Sequence, residues 1–354
     1  MLSLNELFGP VLGVLAAGRL LVPPGGWEGH APPFRHVTDI AVSAKNGLVV
    51  YATADDAFQD PDGLWHYPSA VFRTADGGST WTKLATAPDG DRAKAIAIDP
   101  FDPLHLIAAT DGPSGSHIYL TRDGGITWVH VVDTPGCSFP SLAFDSTFAG
   151  RAYADCGRLL RSDDGTTWTT LDVSIPATIT TDATGAVYAV ASDRILRSTD
   201  HGASWTRIMD APTGCPSITT LAVDPGDSGI LYVGTGRNFF GRFECGGVYK
   251  SLDGGRTLTR TPLPDQFVTG VTLDATDSSI VYTCSVYSGG FFSGPALVSR
   301  SLDAGQSWNA FSQPGLELGR ILSTPERLLY GSGPSGFVRR SILETRVVTP
   351  RAAR

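Results

Sequence analysis

Apolar residues in this chain come in short runs, many of them β-branched, and between the runs no helical periodicity develops. Runs such as Ala95-Ile-Ala-Ile-Asp99, Leu221-Ala-Val-Asp224 and Val271-Thr-Leu-Asp274 end on an acid, with looser copies at Leu142-Ala-Phe-Asp145 and Ile40-Ala-Val-Ser43. A turn follows each, then a second run such as Leu106-Ile-Ala-Ala, Leu231-Tyr-Val-Gly or Val281-Tyr-Thr-Cys284. A third run (Ile118-Tyr-Leu-Thr, Val248-Tyr-Lys-Ser, Leu297-Val-Ser-Arg) enters a polar turn, and a fourth, such as Thr82-Lys-Leu, leaves it. The unit is four short strands, and the chain repeats it.

The polar turn carries the motif S/T-x-D-x-G-x-S/T-W. Its copies are Thr74-Ala-Asp76-Gly-Gly78-Ser-Thr80-Trp81, Thr121-Arg-Asp123-Gly-Gly125-Ile-Thr127-Trp128 and Arg161-Ser-Asp163-Asp-Gly165-Thr-Thr167-Trp168. Ser198-Thr-Asp200-His-Gly202-Ala-Ser204-Trp205, Ser251-Leu-Asp253-Gly-Gly255-Arg-Thr257-Leu258 and Ser301-Leu-Asp303-Ala-Gly305-Gln-Ser307-Trp308 complete the set. The aspartates lie 47, 40, 37, 53 and 50 residues apart, which is the period of a repeat architecture. A short carboxylate can accept hydrogen bonds from the amides of its own turn, and the glycine two residues on permits positive φ. The Trp is expected to fold its ring back against the sheet. One structural carboxylate per unit therefore accounts for the acids better than a metal-binding or catalytic array does. After Trp308, Gly319-Arg-Ile-Leu-Ser, Arg327-Leu-Leu-Tyr-Gly and Phe337-Val-Arg-Arg-Ser341 repeat the first three strands, with Ile342-Leu-Glu-Thr where the motif would stand. The expected fold is all-β: a single β-propeller of seven four-stranded blades, six with the motif and one degenerate.

These motifs resemble the Asp-box, or BNR repeat, of sialidases, sortilin-type luminal receptors, xyloglucan-cleaving glycosidases and the photosystem II assembly factor family. The resemblance covers roughly residues 37 to 345. It implies that Asp76, Asp123, Asp163, Asp200, Asp253 and Asp303 stabilise the fold away from the ligand face. It also implies that the termini share one blade, so that residues 1–36 supply a closing strand to a propeller spanning 37–349, with 350–354 as a tail.

The charged fraction of 18%, with 41 Gly and 24 Pro, suits tight turns joining buried strands. A net charge of −8 without a Lys/Arg run argues against nucleic acid or an anionic membrane as partner. Pro10 to Val22 is apolar but interrupted by Arg19 and preceded only by Glu6, so it reads first as a packed strand or hairpin, with a degraded export signal as the alternative. It is also too short to span a membrane. Five cysteines without CxxC spacing argue against zinc. Cys137 and Cys156 flank matching positions of the third blade, as do Cys215 and Cys245 of the fifth. Loops at those positions emerge on one face, so disulfides Cys137–Cys156 and Cys215–Cys245 are expected, with Cys284 buried in a strand. Such bonds place maturation in an oxidising, extracytoplasmic compartment, periplasmic or secreted.

The same face carries long loops between second and third strands. The first blade offers Asp55, Asp56, Asp60, Asp62, Trp65, His66 and Tyr67. The fifth offers Arg237, Asn238, Phe239, Phe240 and Arg242, and the sixth Tyr287, Phe291 and Phe292. Aromatics mixed with polar groups suit a sugar ring or a peptide surface. A sialidase would need an arginine triad, a tyrosine nucleophile and an acid/base Asp. Phe34-Arg35-His36-Val37 lacks the Ile-Pro of that signature, and Thr53-Ala-Asp55-Asp56 stands where the next arginine belongs. No nucleophile elbow, P-loop or dinucleotide fingerprint is present, and the seven histidines show no metal-ligand spacing, His201 reading as simply exposed. The expectation is thus a monomeric, non-catalytic, extracytoplasmic propeller, without cofactor or metal, that binds a protein or carbohydrate through this loop crescent. The alternative is a glycoside hydrolase of sialidase-like type using the acids of the first-blade loop.

Overall fold

The computed structural model describes residues 27–29, 36–55, 58–59, 65–66, 69–84, 92–112, 115–134, 141–155, 157–171, 173, 178–215, 217–239, 242–285, 297–312, 316–333 and 336–342. Every regular element among them is a strand, and seven four-stranded antiparallel sheets form the blades of a propeller. Blade 1 is His36–Val42, Val50–Asp55, Ser69–Thr74 and Thr82–Lys83. Blade 2 is Arg92–Asp99, Asp102–Gly112, Gly115–Thr121 and Val129–Asp133. Blades 3 to 6 begin at Ser141, Thr178, Ile218 and Val268 and repeat the order. In blade 7, Arg320–Ser323, Leu328–Gly333 and Gly336–Ser341 are joined by Glu28–Gly29, which pairs with the third strand through Glu28↔Arg339 and Gly29↔Val338.

The first strand of every blade faces a central channel. Because successive strands are antiparallel, turns after first and third strands share one face, the motif face. Loops after second and fourth strands share the other, the loop face. The core is divided into seven clusters, each built from two adjacent blades. The motif tryptophans belong to these seams and pack on the preceding blade. Trp81 of blade 1 meets Phe337 of blade 7 edge-on at 4.9 Å. Trp205 joins the cluster around Tyr153 of blade 3. The ring thus joins blade to blade rather than covering its own sheet. A tyrosine on the second strand is buried in every blade but one: Tyr51, Tyr153, Tyr188, Tyr232, Tyr282 and Tyr330, with Ile107 in blade 2. Burying each such side chain contributes about 1.5–3 kcal/mol.

The motif turn closes on itself as its chemistry requires. In blade 1, Asp76 Oδ1 accepts from the Thr80 amide at 2.9 Å and Oδ2 from the Thr80 hydroxyl at 2.7 Å. The Thr74 hydroxyl donates to Asp76 and receives the Gly78 amide at 2.9 Å. Gly78, Gly125, Gly202, Gly255 and Gly305 have φ between 88° and 99°. Blade 3 departs from the expected register. Asp164, not Asp163, receives the amides of Thr166 (2.8 Å) and Thr167 (2.9 Å), because this turn is one residue shorter between acid and Trp. Asp163 instead pairs with Arg151 and Arg161, each at 2.7 Å.

Candidate functional site

Four blades begin their first strand with the same local irregularity. The register slips at Thr38, Lys94, Thr219 and Thr269, leaving one residue of each first strand bulged beside the channel mouth on the loop face. Three of these are threonines whose hydroxyls donate to a carbonyl of the next blade: Thr38 to Ala93 at 2.9 Å, Thr219 to Val268 at 2.6 Å and Thr269 to Leu318 at 2.7 Å. Blade 2 has Lys94 instead, a cation on the channel wall.

Asp39, the residue after the first bulge, is buried between blades. Its Oδ2 accepts the Ile96 amide of blade 2 at 3.0 Å, and its Oδ1 is ion-paired to Arg320 of blade 7. Asp39, Lys94 and Arg320 are charged residues at the mouth of a channel of about 650 Å³ whose wall is otherwise mainly Thr and aliphatic residues, with Asp274 further along it. With both oxygens engaged, Asp39 is a clamp for three blades and a poor proton donor or nucleophile. The mouth offers hydrogen-bonding and charged groups to a polar chain that enters it.

Of the loops expected to bind a ligand, parts of those of blades 1 and 5 are among the described residues. Asp55 ends the second strand of blade 1, and beyond it Phe58–Gln59 and Trp65–His66 pair as a two-stranded arm, Phe58↔His66 and Gln59↔Trp65. Arg237, Asn238 and Phe239 end the second strand of blade 5 and Arg242 opens the third, with Phe239↔Arg242 closing the hairpin. Asp56, Asp60, Asp62, Tyr67, Phe240, Tyr287, Phe291 and Phe292 lie outside the described residues, as does Pro10 to Val22. Cys215 and Cys245 are bonded, Cα–Cα 5.5 Å, tying the approach to blade 5 to its third strand. Cys137 and Cys156 lie outside the described residues. Cys284 is free and buried, and burial pushes its thiol up to about 12.

On the motif face, buried acids end the first strands of blades 2 to 6. Burial pushes the Asp145 carboxyl up, but hydrogen bonds from Thr147 and the contact with His201 outweigh it and hold it below the usual range. His201 Nδ1 lies 3.0 Å from Asp145 Oδ2, so this histidine, expected to be merely exposed, links blade 4 to blade 3. Neither Asp39 with Arg320 nor this network was marked by any motif, since each joins single residues from different blades.

The fold and the mouth define a seven-bladed β-propeller with a polar, charged channel entrance. No family model matches the chain. It is 26% identical over 276 residues to the xyloglucanase Xgh74A of Acetivibrio thermocellus, covering 72% of this chain and 30% of that protein. The chain thus spans about a third of that relative's length. Among solved structures, the GH74 xyloglucanase of Xanthomonas campestris superposes with TM-score 0.68 at 16% identity, covering 91% of this chain and 54% of that one. YCF48 from Cyanidioschyzon merolae superposes with TM-score 0.64 at 15% identity, covering 89% and 99%. At such identities the superpositions show the fold alone. The curated relative, an enzyme by name, corrects the expectation of a non-catalytic binding module and favours the hydrolase alternative. No helix among the described residues is long and apolar enough to cross a membrane.

Proposed function

We propose that the chain is a glycoside hydrolase propeller that acts on a β-glucan of the xyloglucan type outside the cytoplasm. The observation that carries this is the likeness over 276 residues to a xyloglucanase. Two further features support it. The second strand of blade 1 ends at Asp55 on the loop face, the face on which the channel mouth opens, and a disulfide suits an oxidising compartment. In this reading the mouth and the aromatic loops of blades 1, 5 and 6 hold the glucan. Two of Asp55, Asp56, Asp60 and Asp62 then serve as acid and as base or nucleophile, the division of labour that glycoside hydrolysis requires.

Release of reducing ends from xyloglucan, a mixed-linkage β-glucan and a fluorogenic sialoside tests the proposal. Turnover of a glucan is expected, with a fall of about a hundredfold or more when the critical loop acid becomes Asn. Asp253→Asn, on the opposite face, should leave turnover intact. Folded protein that cleaves none of the three substrates, or loop variants all as active as wild type, would overturn the assignment.

A further inference from the structure

Blade 2 carries a donor cluster that no motif announces. On its outer hairpin, His117 Nδ1 lies 2.8 Å and His130 Nε2 3.0 Å from the same oxygen, Asp133 Oδ1. One ligand atom from each residue falls within 4.8 Å of the others, and among the described residues this is the one such group of three.

The cause is a β-bulge. His117 faces Asp133 across the hairpin and Tyr119 faces His130, with a register shift between Ile118 and Tyr119. His130 and Asp133 are three apart, an odd spacing that in a regular strand puts side chains on opposite faces. The bulge inserts one residue and returns both to the face shared by His117. Tyr119 and the two imidazoles stack around each other with centroids 5.3–6.1 Å apart, which restrains the rings.

Blade 4 supplies an internal comparison. Its outer hairpin has the same shift, with Arg194↔Asp210 and Leu196↔Arg207. The position of His117 is held there by Arg194, that of His130 by Arg207 and that of Asp133 by Asp210, and Arg207 is ion-paired to Asp210. Guanidinium groups can only neutralise the acid, because they have no lone pair to give a metal. In blade 2 both cations are replaced by imidazoles in the same frame, and the carboxylate is kept.

We propose that His117, His130 and Asp133 bind a divalent transition-metal ion, with zinc the best fit. Two imidazole nitrogens and one carboxylate oxygen are a borderline donor set that suits zinc, nickel or cobalt and offers too little oxygen for calcium or magnesium. Zinc bonds near 2 Å in a tetrahedron place donors about 3.3 Å apart, so each nitrogen needs to draw back from Asp133 Oδ1 by only a few tenths of an ångström. The Asp133 side chain is 70% and that of His130 45% exposed, so the fourth position opens to solvent. The cluster sits at the loop-face end of blade 2, next to blade 1, and none of its residues belongs to the hydrolase reading.

Zinc titration of the whole chain, stripped with EDTA and freed of chelator, tests the site by calorimetry, with Co²⁺ visible absorption reporting coordination. Wild type should take up one equivalent at micromolar concentration. His130→Ala and Asp133→Asn should each weaken uptake by about tenfold or more. Both residues are exposed, so the variants should melt like wild type in EDTA, and Asp210→Asn at the same register in blade 4 should bind zinc as wild type does. Absence of saturable uptake of zinc and cobalt by wild type, or undiminished uptake by the His130→Ala/Asp133→Asn variant, would overturn the proposal.

Discussion

Blades 2 to 6 end their first strands on a buried acid, Asp99, Asp145, Asp182, Asp224 and Asp274, and the blades supply its hydrogen bonds from different residues. Asp145 and Asp182 receive a tyrosine hydroxyl from the second strand, Tyr153 at 3.3 Å and Tyr188 at 2.9 Å. Blade 2 has Ile107 at that position, and His105, two residues earlier, places Nδ1 2.9 Å from Asp99 Oδ2. The Gly150 amide at 2.8 Å is the other donor to that oxygen. Burial pushes the Asp99 carboxyl up, while His105 and the amides of Phe101 and Gly150 pull it below its ordinary value. His105→Val should therefore cost about 3 kcal/mol, the penalty for leaving a buried charge underpaired. Adding Ile107→Tyr to that variant should recover most of the loss, since it rebuilds the arrangement of blades 3 and 4. Urea midpoints of the three proteins decide it, and a double variant no more stable than His105→Val would refute the substitution logic. Backbone strain gives a second residue-scale prediction. Ala304 occupies the left-handed region at φ 57° in a motif turn where Gly77, Gly124 and Gly254 stand in other blades. Ala304→Gly should stabilise by about 0.5–1 kcal/mol, the strain relieved less the extra chain entropy of glycine.

Among elements, the motif hairpins were legible because their chemistry is local: an acid, a glycine at positive φ and a hydroxyl four residues on form one turn whatever surrounds them. The exception shows the limit. The doubled acid Asp163-Asp164 offered two choices, and only the shortened turn of blade 3 selects the second. The bulges were not legible, because a bulge is a mismatch between two strands and neither strand shows it alone. They nonetheless set the threonine latches at the channel mouth and the histidine cluster of blade 2. The Cys215–Cys245 bond could be read because blade register puts both residues at one end of a single sheet. Its two cysteines are 30 residues apart, a loop whose closure is worth about 3–4 kcal/mol in the chain-entropy account. Cys215→Ser/Cys245→Ser should lose stability of that order in calorimetry, and wild type under strong reductant should match it.

At the scale of the whole molecule, the sequence shows a ring but not what holds its mouth, because Asp39 and Arg320 are 281 residues apart and meet only when blade 7 closes on blade 1. Closure is concentrated in a few groups. Arg339 donates to the Gly77 carbonyl of blade 1 at 2.9 Å and pairs with Glu28 of the closing strand at 3.0 Å, while the Tyr330 hydroxyl donates to the Gly47 carbonyl at 2.9 Å. Every core seam is shared by two blades, so loosening one blade weakens both neighbours. This couples the motif turns to global stability through pH. Hydrogen bonds from the hydroxyl and amide four residues on hold Asp123, Asp200, Asp253 and Asp303 at about 2. In the unfolded chain an aspartate titrates at about 3.9. A group whose pKa is lower in the fold contributes stability above the unfolded value and loses it as pH falls toward the folded one. These four turns should therefore add no slope to the melting temperature between pH 7 and 5, and a cooperative fall between about pH 4 and 2. The fall should persist in 0.5 M salt, because short hydrogen bonds within a turn are screened far less than separated charges. Asp123→Asn should melt lower at pH 7 and show a shallower loss below pH 4, since the charged acceptor is already gone. A melting temperature that instead drops mainly between pH 7 and 5, equally in wild type and Asp123→Asn, would assign acid sensitivity to the histidines and remove the motif acids from the account.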